Sequence, residues 1–320
     1  MRRINNKLDR KNLTLSIVIP TYNEQKNVGI LYRRLKSVLD KLALRYEIVF
    51  VDDGSRDGTF RELRSLHNLD KRVRVIRFRK NFGQTAAMDA GFKQARGDII
   101  ISLDADLQND PNDIPRLLEK IMQGYDVVCC WRKNRKDTLS KHITSRFANI
   151  MRKFVINDKI HDSGCTLKAY KKECFEDLNL FGEMHRFIPA LLRWKGFKIT
   201  EIPVAHHSRK YGKTKYNAKR LMKGFLDMIV VKFWMQYSTR PVHLFGGIGI
   251  LMSTLGFLTG IYLSIMKIVF GQSLSDRPLL LLAILLIILG IQFMIFGLIV
   301  DIQIKDFYQN RRPYNIERIL

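Results

Sequence analysis

Cysteine is scarce in this chain. Its four cysteines, Cys129, Cys130, Cys165 and Cys174, form no CxxC pair and accompany no paired histidine cluster. That spacing argues against a disulfide-stapled fold or a thiolate zinc site and makes reduced structural thiols the default. Acidic residues are also in short supply: 30 Asp and Glu against 55 Lys and Arg leave a formal charge of +25 over 320 residues. A surplus of that sign suits nucleic acid, an anionic lipid surface or a phosphorylated substrate, and composition does not choose among them. No nucleic-acid-binding motif accompanies the charge, so no nucleic-acid partner is expected. Two nucleotide signatures are missing as well. No GxGxxG follows the first strand-like block and no GxxxxGK[ST] occurs, which argues against a dinucleotide-binding fold and a P-loop NTPase. A hydrophobic fraction of 46% and 19 Phe exclude a disordered chain.

Charge is absent altogether from two stretches, Val242–Met266 and Leu279–Val300. Each exceeds the roughly 20 apolar residues a helix needs to cross a bilayer core. A buried soluble helix rarely runs so long without polar interruption. The short connector between them, with Gly271, Asp276, Arg277 and Pro278, predicts a membrane hairpin with both ends on one side. Lys219, Arg220, Lys223, Lys232 and Arg240 precede the hairpin, and Lys305, Arg311 and Arg312 follow it, against only Lys267 and Arg277 at the connector. That bias places both ends in the cytoplasm. The N-terminus is basic, but the apolar run after it is too short for a signal-peptide core, so the preceding domain is expected to stay on the same side.

The first 205 or so residues alternate short β-rich blocks with helical periodicity. The blocks are Leu15–Pro20, Tyr46–Gly54, Val73–Phe78, Asp98–Asp106 and Tyr125–Trp131, and Val28–Leu42 carries one broad apolar helical face. Near-continuous apolar strands in such alternation predict an α/β fold, a mostly parallel sheet flanked by helices. Ligands of such sheets bind at the carboxyl ends of the strands. Those ends are polar and acidic: Pro20-Thr21-Tyr22-Asn23-Glu24 after the first, Asp52-Asp53-Gly54-Ser55 after the second, and Asp104-Ala105-Asp106-Leu107-Gln108 after the fourth. Without a glycine phosphate cradle, a diphosphate needs another device, and Mg²⁺ or Mn²⁺ held by carboxylates and substrate phosphates fits these oxygen ligands. Taken alone, Asp-x-Asp also reads as a capping turn before a helix starting near Ile114, and Glu24 as a helix-entry residue favoured by the helix dipole.

With TYNE, VDDGSRDGT and LDADLQND in this order over residues 13–220, the sequence resembles the family-2 glycosyltransferases of GT-A fold. The resemblance implies nucleotide-sugar contacts at Pro20, Tyr22, Glu24, Val51, Asp53, Asp104 and Ala105. It implies metal contacts at Asp106 and Gln108, with Asp104 as a further ligand. The later sequence FGEMHRFIPALLRWKGFKITEIPVAHHSRKYGKTKY is similar to the polyprenyl-phosphate glycosyltransferase subgroup, the dolichyl-phosphate mannose synthases and bactoprenol glucosyltransferases. Its Arg-x-Tyr-Gly-x-x-Lys element stands as Arg209, Tyr211, Gly212 and Lys215, with Thr214 where another member often has Ser. With Arg132 after the fifth strand, Arg209 and Lys215 are candidate cations for the donor diphosphate and the lipid phosphate, since Arg donates two parallel hydrogen bonds to such groups. A merely solvated basic stretch is the bland alternative. Asp162 falls where related enzymes place an acidic candidate base, and a turn-forming Asp before Gly164 explains it equally well; His161 reads as its neighbour in that turn.

Carried to the whole chain, the resemblance implies a cytoplasmic GT-A catalytic domain over 1–216, an interfacial segment over 217–241, a transmembrane hairpin over 242–300 and a basic tail over 301–320. Thr138–Val155 and Asn217–Tyr237 mix apolar and basic residues as interfacial amphipathic helices do. The implied protein is a multi-pass enzyme of the bacterial inner membrane. It would use Mg²⁺ or Mn²⁺ to move a sugar, with inversion, from a nucleotide sugar (UDP-linked by analogy) to undecaprenyl phosphate. Membrane lipids are its surroundings, and a homo-oligomer is compatible with this reading. Processive polysaccharide synthases share the Asp motifs, but Ala190 stands where their Gln-x-x-Arg-Trp element needs Gln before Arg193-Trp194. A transferase acting on a lipid or glycan hydroxyl, and a non-catalytic membrane-anchored binding protein, remain the other readings.

Overall fold

The computed structural model describes residues 13–132, 160–205 apart from 177 and 181, 218–237, 240–273 and 278–308. They form two compact units, Met1–Val231 and Lys232–Leu320.

The first unit is built on a seven-stranded sheet: β1 (Thr14–Thr21), β2 (Arg45–Asp52), β3 (Val73–Arg77), β4 (Ile99–Ser102), β5 (Val127–Arg132), β6 (Lys168–Lys171) and β7 (Ile199–Val204). The spatial order is β3-β2-β1-β4-β6-β5-β7. The left half is parallel, with Thr14↔Arg45 to Thr21↔Asp52 pairing β1 with β2 and Leu15↔Ile99 to Val18↔Ser102 pairing β1 with β4. Ile17, Val18 and Ile19 in β1 and Ile99, Ile100 and Ile101 in β4 are all fully buried, as expected of central strands covered on both faces. Helices α1 (Gln25–Leu39), α2 (Thr59–Leu69), α3 (Gln84–Gln94), α4 (Ile114–Met122) and α5 (Ile188–Trp194) complete the alternation. Val28, Leu31, Leu35 and Leu39 of α1 point into the core, and Asp40–Leu42 extends that helix by one 3₁₀ turn. On α3, a Cβ at Gly91 would meet the side chains of Val18 and Val51, so this glycine sets how closely the helix lies on β1 and β2.

Two details depart from the sequence pattern. The apolar run ending at Asp106 forms a strand only to Ser102; Leu107 adopts φ +64, and the acidic residues sit in a turn rather than in the strand. The sheet also gains β6, antiparallel to both β4 and β5, and β7, parallel to β5. Lys-Ala-Tyr-Lys is too short and too charged to announce β6 by periodicity.

At the β2–β3 side, a polar cluster closes the sheet. Arg72 pairs with Asp70 (2.8 Å) and Asp40 (3.0 Å), Tyr32 donates to Asp70 and Tyr46 to Asp40. Hydrogen bonds from Lys36 and Tyr46 hold the Asp40 carboxyl down at about 2, and the Arg72 guanidinium holds that of Asp70 well below the usual carboxylate range. The four cysteines are free and buried. Burial pushes the Cys129 thiol up to about 12 and that of Cys165 up to about 11.

In the second unit, α7 (Pro241–Ile268) and α8 (Pro278–Tyr308, following α6, Ala218–Tyr237) pack against one another. Over Pro241–Ile268 and Pro278–Ile304 both are long and apolar enough to cross a membrane. Their contact is made by small residues. A Cβ on Gly249 would come within 2.5 Å of the Gly290 carbonyl oxygen, and one on Gly256 within 2.7 Å of that of Ala283. Such close backbone approach is the usual packing mode of helices in lipid.

Candidate functional site at the strand ends

Because β2, β1 and β4 are neighbours, their carboxyl-terminal loops share one edge of the sheet. The loops after β1 and β2 are laced together. The Asn23 N–H donates to the Ser55 hydroxyl (2.9 Å), the Asn23 side-chain oxygen accepts from the Arg56 N–H (2.9 Å), and the Glu24 N–H donates to Thr59 (2.8 Å). Asn23 holds φ +57, a left-handed conformation that asparagine tolerates better than most residues. Pro20 lies opposite Val51 in the ladder. Val51 itself is fully buried; Tyr22 and Glu24 are half-buried.

The acidic residues differ in their surroundings. Asp53, buried, accepts from the Phe82 N–H (2.7 Å), the Gly83 N–H (2.9 Å) and the Asn81 side chain (2.9 Å). Asp104, half-buried, accepts from the Gln84 amide (2.8 Å). Two consecutive residues at the start of α3, Gly83 and Gln84, therefore touch both carboxylates. Buried Asp106 accepts the Gln108 N–H at 3.1 Å, which folds the turn so that Ala105 is buried and Gln108 stays partly open. The site thus joins Asp53, Asp104, Asp106 and Gln108 through strand adjacency and the start of α3.

A second group forms at the end of β5, whose last residue is Arg132. Arg132 and Asp162 make a bidentate pair, Nε–Oδ2 2.6 Å and the second guanidinium nitrogen to Oδ1 2.9 Å. The Gly164 N–H donates to Asp162 Oδ1 as well (3.2 Å). His161 stacks on Trp131, and both its N–H and Nδ1 meet the Glu201 carboxylate of β7. This loop is tied to the acidic turn: Ser102 donates to the Thr166 carbonyl, and Asn109 donates to the Thr166 hydroxyl (3.1 Å). Arg209 and Lys215, with Tyr211 and Gly212, lie outside the described residues, as does Thr138–Val155.

Several residues of this region went unread in the sequence. The tail of β3, Arg77 to Asn81, borders a cavity of about 590 Å³ shared with Gly54, Ser55 and Arg56. Arg56, Arg77, Arg79 and Lys80 give it a cationic wall; Arg77 also lies over the Phe60 ring and 3.5 Å from Asp52. The rule that ligands sit at strand ends pointed to this tail as much as to the others. Gln84 and the Thr85–His185 hydrogen bond (2.7 Å) had no such signal. Lys168 is buried, its ammonium donating to the Ser163 carbonyl.

A divalent ion fits these donors in one way only. Asp104, Asp106 and Gln108 offer hard oxygens, but among the described residues no group of three or more His, Cys, Asp or Glu is arranged to hold an ion by itself. Such a set suits Mg²⁺ or Mn²⁺ completed by water and phosphate oxygens rather than an all-protein cage.

Residues 16–178 match the family model described as glycosyl transferase family 2. The chain is 37% identical to a dodecaprenyl-phosphate galacturonate synthase of Rhizobium johnstonii over 94% of this chain and 90% of that protein. It is 38% identical to an undecaprenyl-phosphate 4-deoxy-4-formamido-L-arabinose transferase of Pseudomonas paraeruginosa, covering 89% and 83%. Among solved structures, a glucosyl-3-phosphoglycerate synthase of Mycobacterium tuberculosis, in complex with Mn²⁺, UDP and glucosyl-3-phosphoglycerate, superposes with a TM-score of 0.55 at 16% identity, over 73% of this chain and 85% of that one. A mannosyl-3-phosphoglycerate synthase of Rubrobacter xylanophilus gives 0.55 at 17% identity, covering 69% and 74%. At those identities the likeness concerns the fold.

Proposed function

The chain belongs to glycosyltransferase family 2, and from that premise we propose that it moves a sugar from a nucleotide sugar to a polyprenyl phosphate at a bacterial inner membrane. One observation carries the donor half: adjacent strands bring Asp53, Asp104 and Asp106 to a single edge, linked through Gly83 and Gln84. The acceptor half is supported by the relatives, whose names specify dodecaprenyl and undecaprenyl phosphate and which match 94% and 89% of this chain. On this reading residues 1–216 are the catalytic domain, 217–241 an interfacial segment, 242–300 a membrane hairpin and 301–320 a cytoplasmic tail.

The reaction joins a lipid-phosphate oxygen to the anomeric carbon while the bond from that carbon to the donor diphosphate breaks, with inversion. Pro20, Tyr22, Glu24, Val51, Asp53 and Ala105 frame the nucleotide, with UDP the favoured donor. Asp104, Asp106 and Gln108 would hold Mg²⁺ or Mn²⁺, whose role when bound is to neutralise charge on the departing diphosphate. Arg132, Arg209 and Lys215 supply the protein's own cations for the donor and acceptor phosphates. Both Asp162 oxygens are engaged by Arg132, which supports a role in aiming that guanidinium rather than in taking a proton. Little base catalysis is needed, because a phosphate monoester with a second pKa of about 6 is largely ionised near neutrality.

The test is incubation of the membrane-embedded chain with undecaprenyl phosphate and a panel of nucleotide sugars. A lipid-linked sugar with one donor is expected; no such product with any donor overturns the acceptor reading. Activity that survives both EDTA and Asp106→Ala would overturn the metal assignment.

A further inference from the structure

Helix α3 begins with little local support. Its N-cap residue, Gly83, holds φ +95 and has no side chain to cap the first turn, which also lacks an acidic residue. A helix start of that kind frays easily, because its first N–H groups have no intrahelical partners. Yet this is where the Gly83 N–H meets Asp53 and the Gln84 amide meets Asp104.

The support comes from a distant part of the chain. Residues 179, 180 and 185, between β6 and α5, meet α3 in reverse order. Lys93 donates to the Asn179 side-chain oxygen (3.1 Å), the Leu180 N–H donates to Asp89 (3.2 Å), and Thr85 shares a hydrogen bond with His185 Nδ1 (2.7 Å). Thr85, Asp89 and Lys93 are four residues apart, so they form one stripe along the helix. Of these three contacts only the last joins two buried side chains, and it is the one beside Gln84.

We propose that His185 is a positioning residue for the donor site: its bond to Thr85 fixes the first turn of α3 and, through Gln84, the orientation of Asp104. The inference rests on the donor reading above and deepens it. Thr85 and His185 are both shut off from water, so neither finds a replacement partner if the other is lost. Threonine has few χ1 states in a helix, so a tethered hydroxyl holds the Thr85 backbone with it. Gln84 is the neighbouring residue, and its amide carries that placement to Asp104. Precision matters at that carboxylate, because Mg²⁺ demands near-octahedral oxygen geometry. With Nδ1 committed to Thr85 inside the fold, His185 acts through α3 and not on the sugar.

The experiment titrates the full chain, in detergent micelles, with UDP in the presence of Mn²⁺ and follows binding by calorimetry. Thr85→Val keeps the branched shape and removes the hydroxyl; His185→Phe keeps a ring and removes the nitrogen. Each should weaken UDP binding about tenfold, the order of one buried hydrogen bond. The double variant should be no weaker than either single one, because both remove the same contact. Thr85→Ser and His185→Asn keep a hydrogen-bonding group at the same reach and should restore most of the loss. Tyr32→Phe, which removes the bond to Asp70 on the β2–β3 side, shows the effect of lost stability alone: it should lower Tm and leave UDP binding unchanged. Parent-like binding by Thr85→Val and His185→Phe, additive losses in the double variant, no recovery with Thr85→Ser and His185→Asn, or equal weakening by Tyr32→Phe each overturns the positioning role and leaves the donor reading standing. A parent chain that binds no UDP with Mn²⁺ overturns the donor reading and the positioning role with it.

Discussion

At the scale of single residues, the site is defined by what each carboxylate already holds. Asp162 has its two oxygens engaged by a guanidinium and a backbone N–H. Substituting it removes a charge-assisted pair, not a proton acceptor, so Asp162→Asn should lower kcat/KM about tenfold, the worth of roughly 1.4 kcal/mol of a charged hydrogen bond. The pH–rate profile should keep its shape; loss of a limb from that profile would make Asp162 a base after all. Gln84 donates to Asp104 and so helps to hold that carboxylate in one orientation. Gln84→Glu places a second carboxylate there and should raise the Mn²⁺ concentration needed for UDP binding, measured calorimetrically, more than Gln84→Ala does. Equal effects of the two variants would reduce Gln84 to packing.

Among elements, the fit of α3 on the sheet governs the site's geometry, because its N-cap Gly83 contacts Asp53 and its first residue Gln84 contacts Asp104. Gly91 allows that fit: a Cβ there would strike Val18 and Val51. Gly91→Ala overpacks the contact and should cost about 1–3 kcal/mol, seen as a fall in Tm of several degrees with a loss of activity beyond that of equally destabilised variants. The β2–β3 side should show acid sensitivity. Asp40 and Asp70 have folded pKa values below their ordinary 3.8, so the stability they contribute is complete above that value. It is lost as pH falls toward 2. Acid titration of the Arg72→Ala variant, followed by circular dichroism, should show a flatter loss of stability between pH 4 and 2 than the parent.

For the molecule as a whole, the separation of charge is the organising fact. Most of the +25, +21 of it, resides with a unit whose strand ends gather cations and carboxylates, and the two helices that lack charge over most of their length belong to the other unit. If both helices span the bilayer, the chain stays in the pellet after an alkaline carbonate wash, and tags placed at either end are protected or exposed together in right-side-out vesicles. Opposite accessibility of the two ends would exclude the hairpin.

The legible part of this protein is local. Apolar runs announced β1 to β5, a 3.6-residue stripe announced α1, and uncharged stretches announced α7 and α8, because each pattern is complete within its own segment. The acidic turns were legible for the same reason, since a parallel sheet fixes which end of a strand meets a ligand. β6 was not, because its four residues are held by pairing to β4 and β5 rather than by any pattern of their own.

The sequence by itself determined the class of fold, the order of the acidic loops and the apolar helices. Only the tertiary structure decided which polar groups meet: Arg132 with Asp162, Gln84 with Asp104, Thr85 with His185, at separations of 30, 20 and 100 residues. A hydrogen bond between side chains depends on where two backbones come to rest, and local periodicity carries no record of that distance.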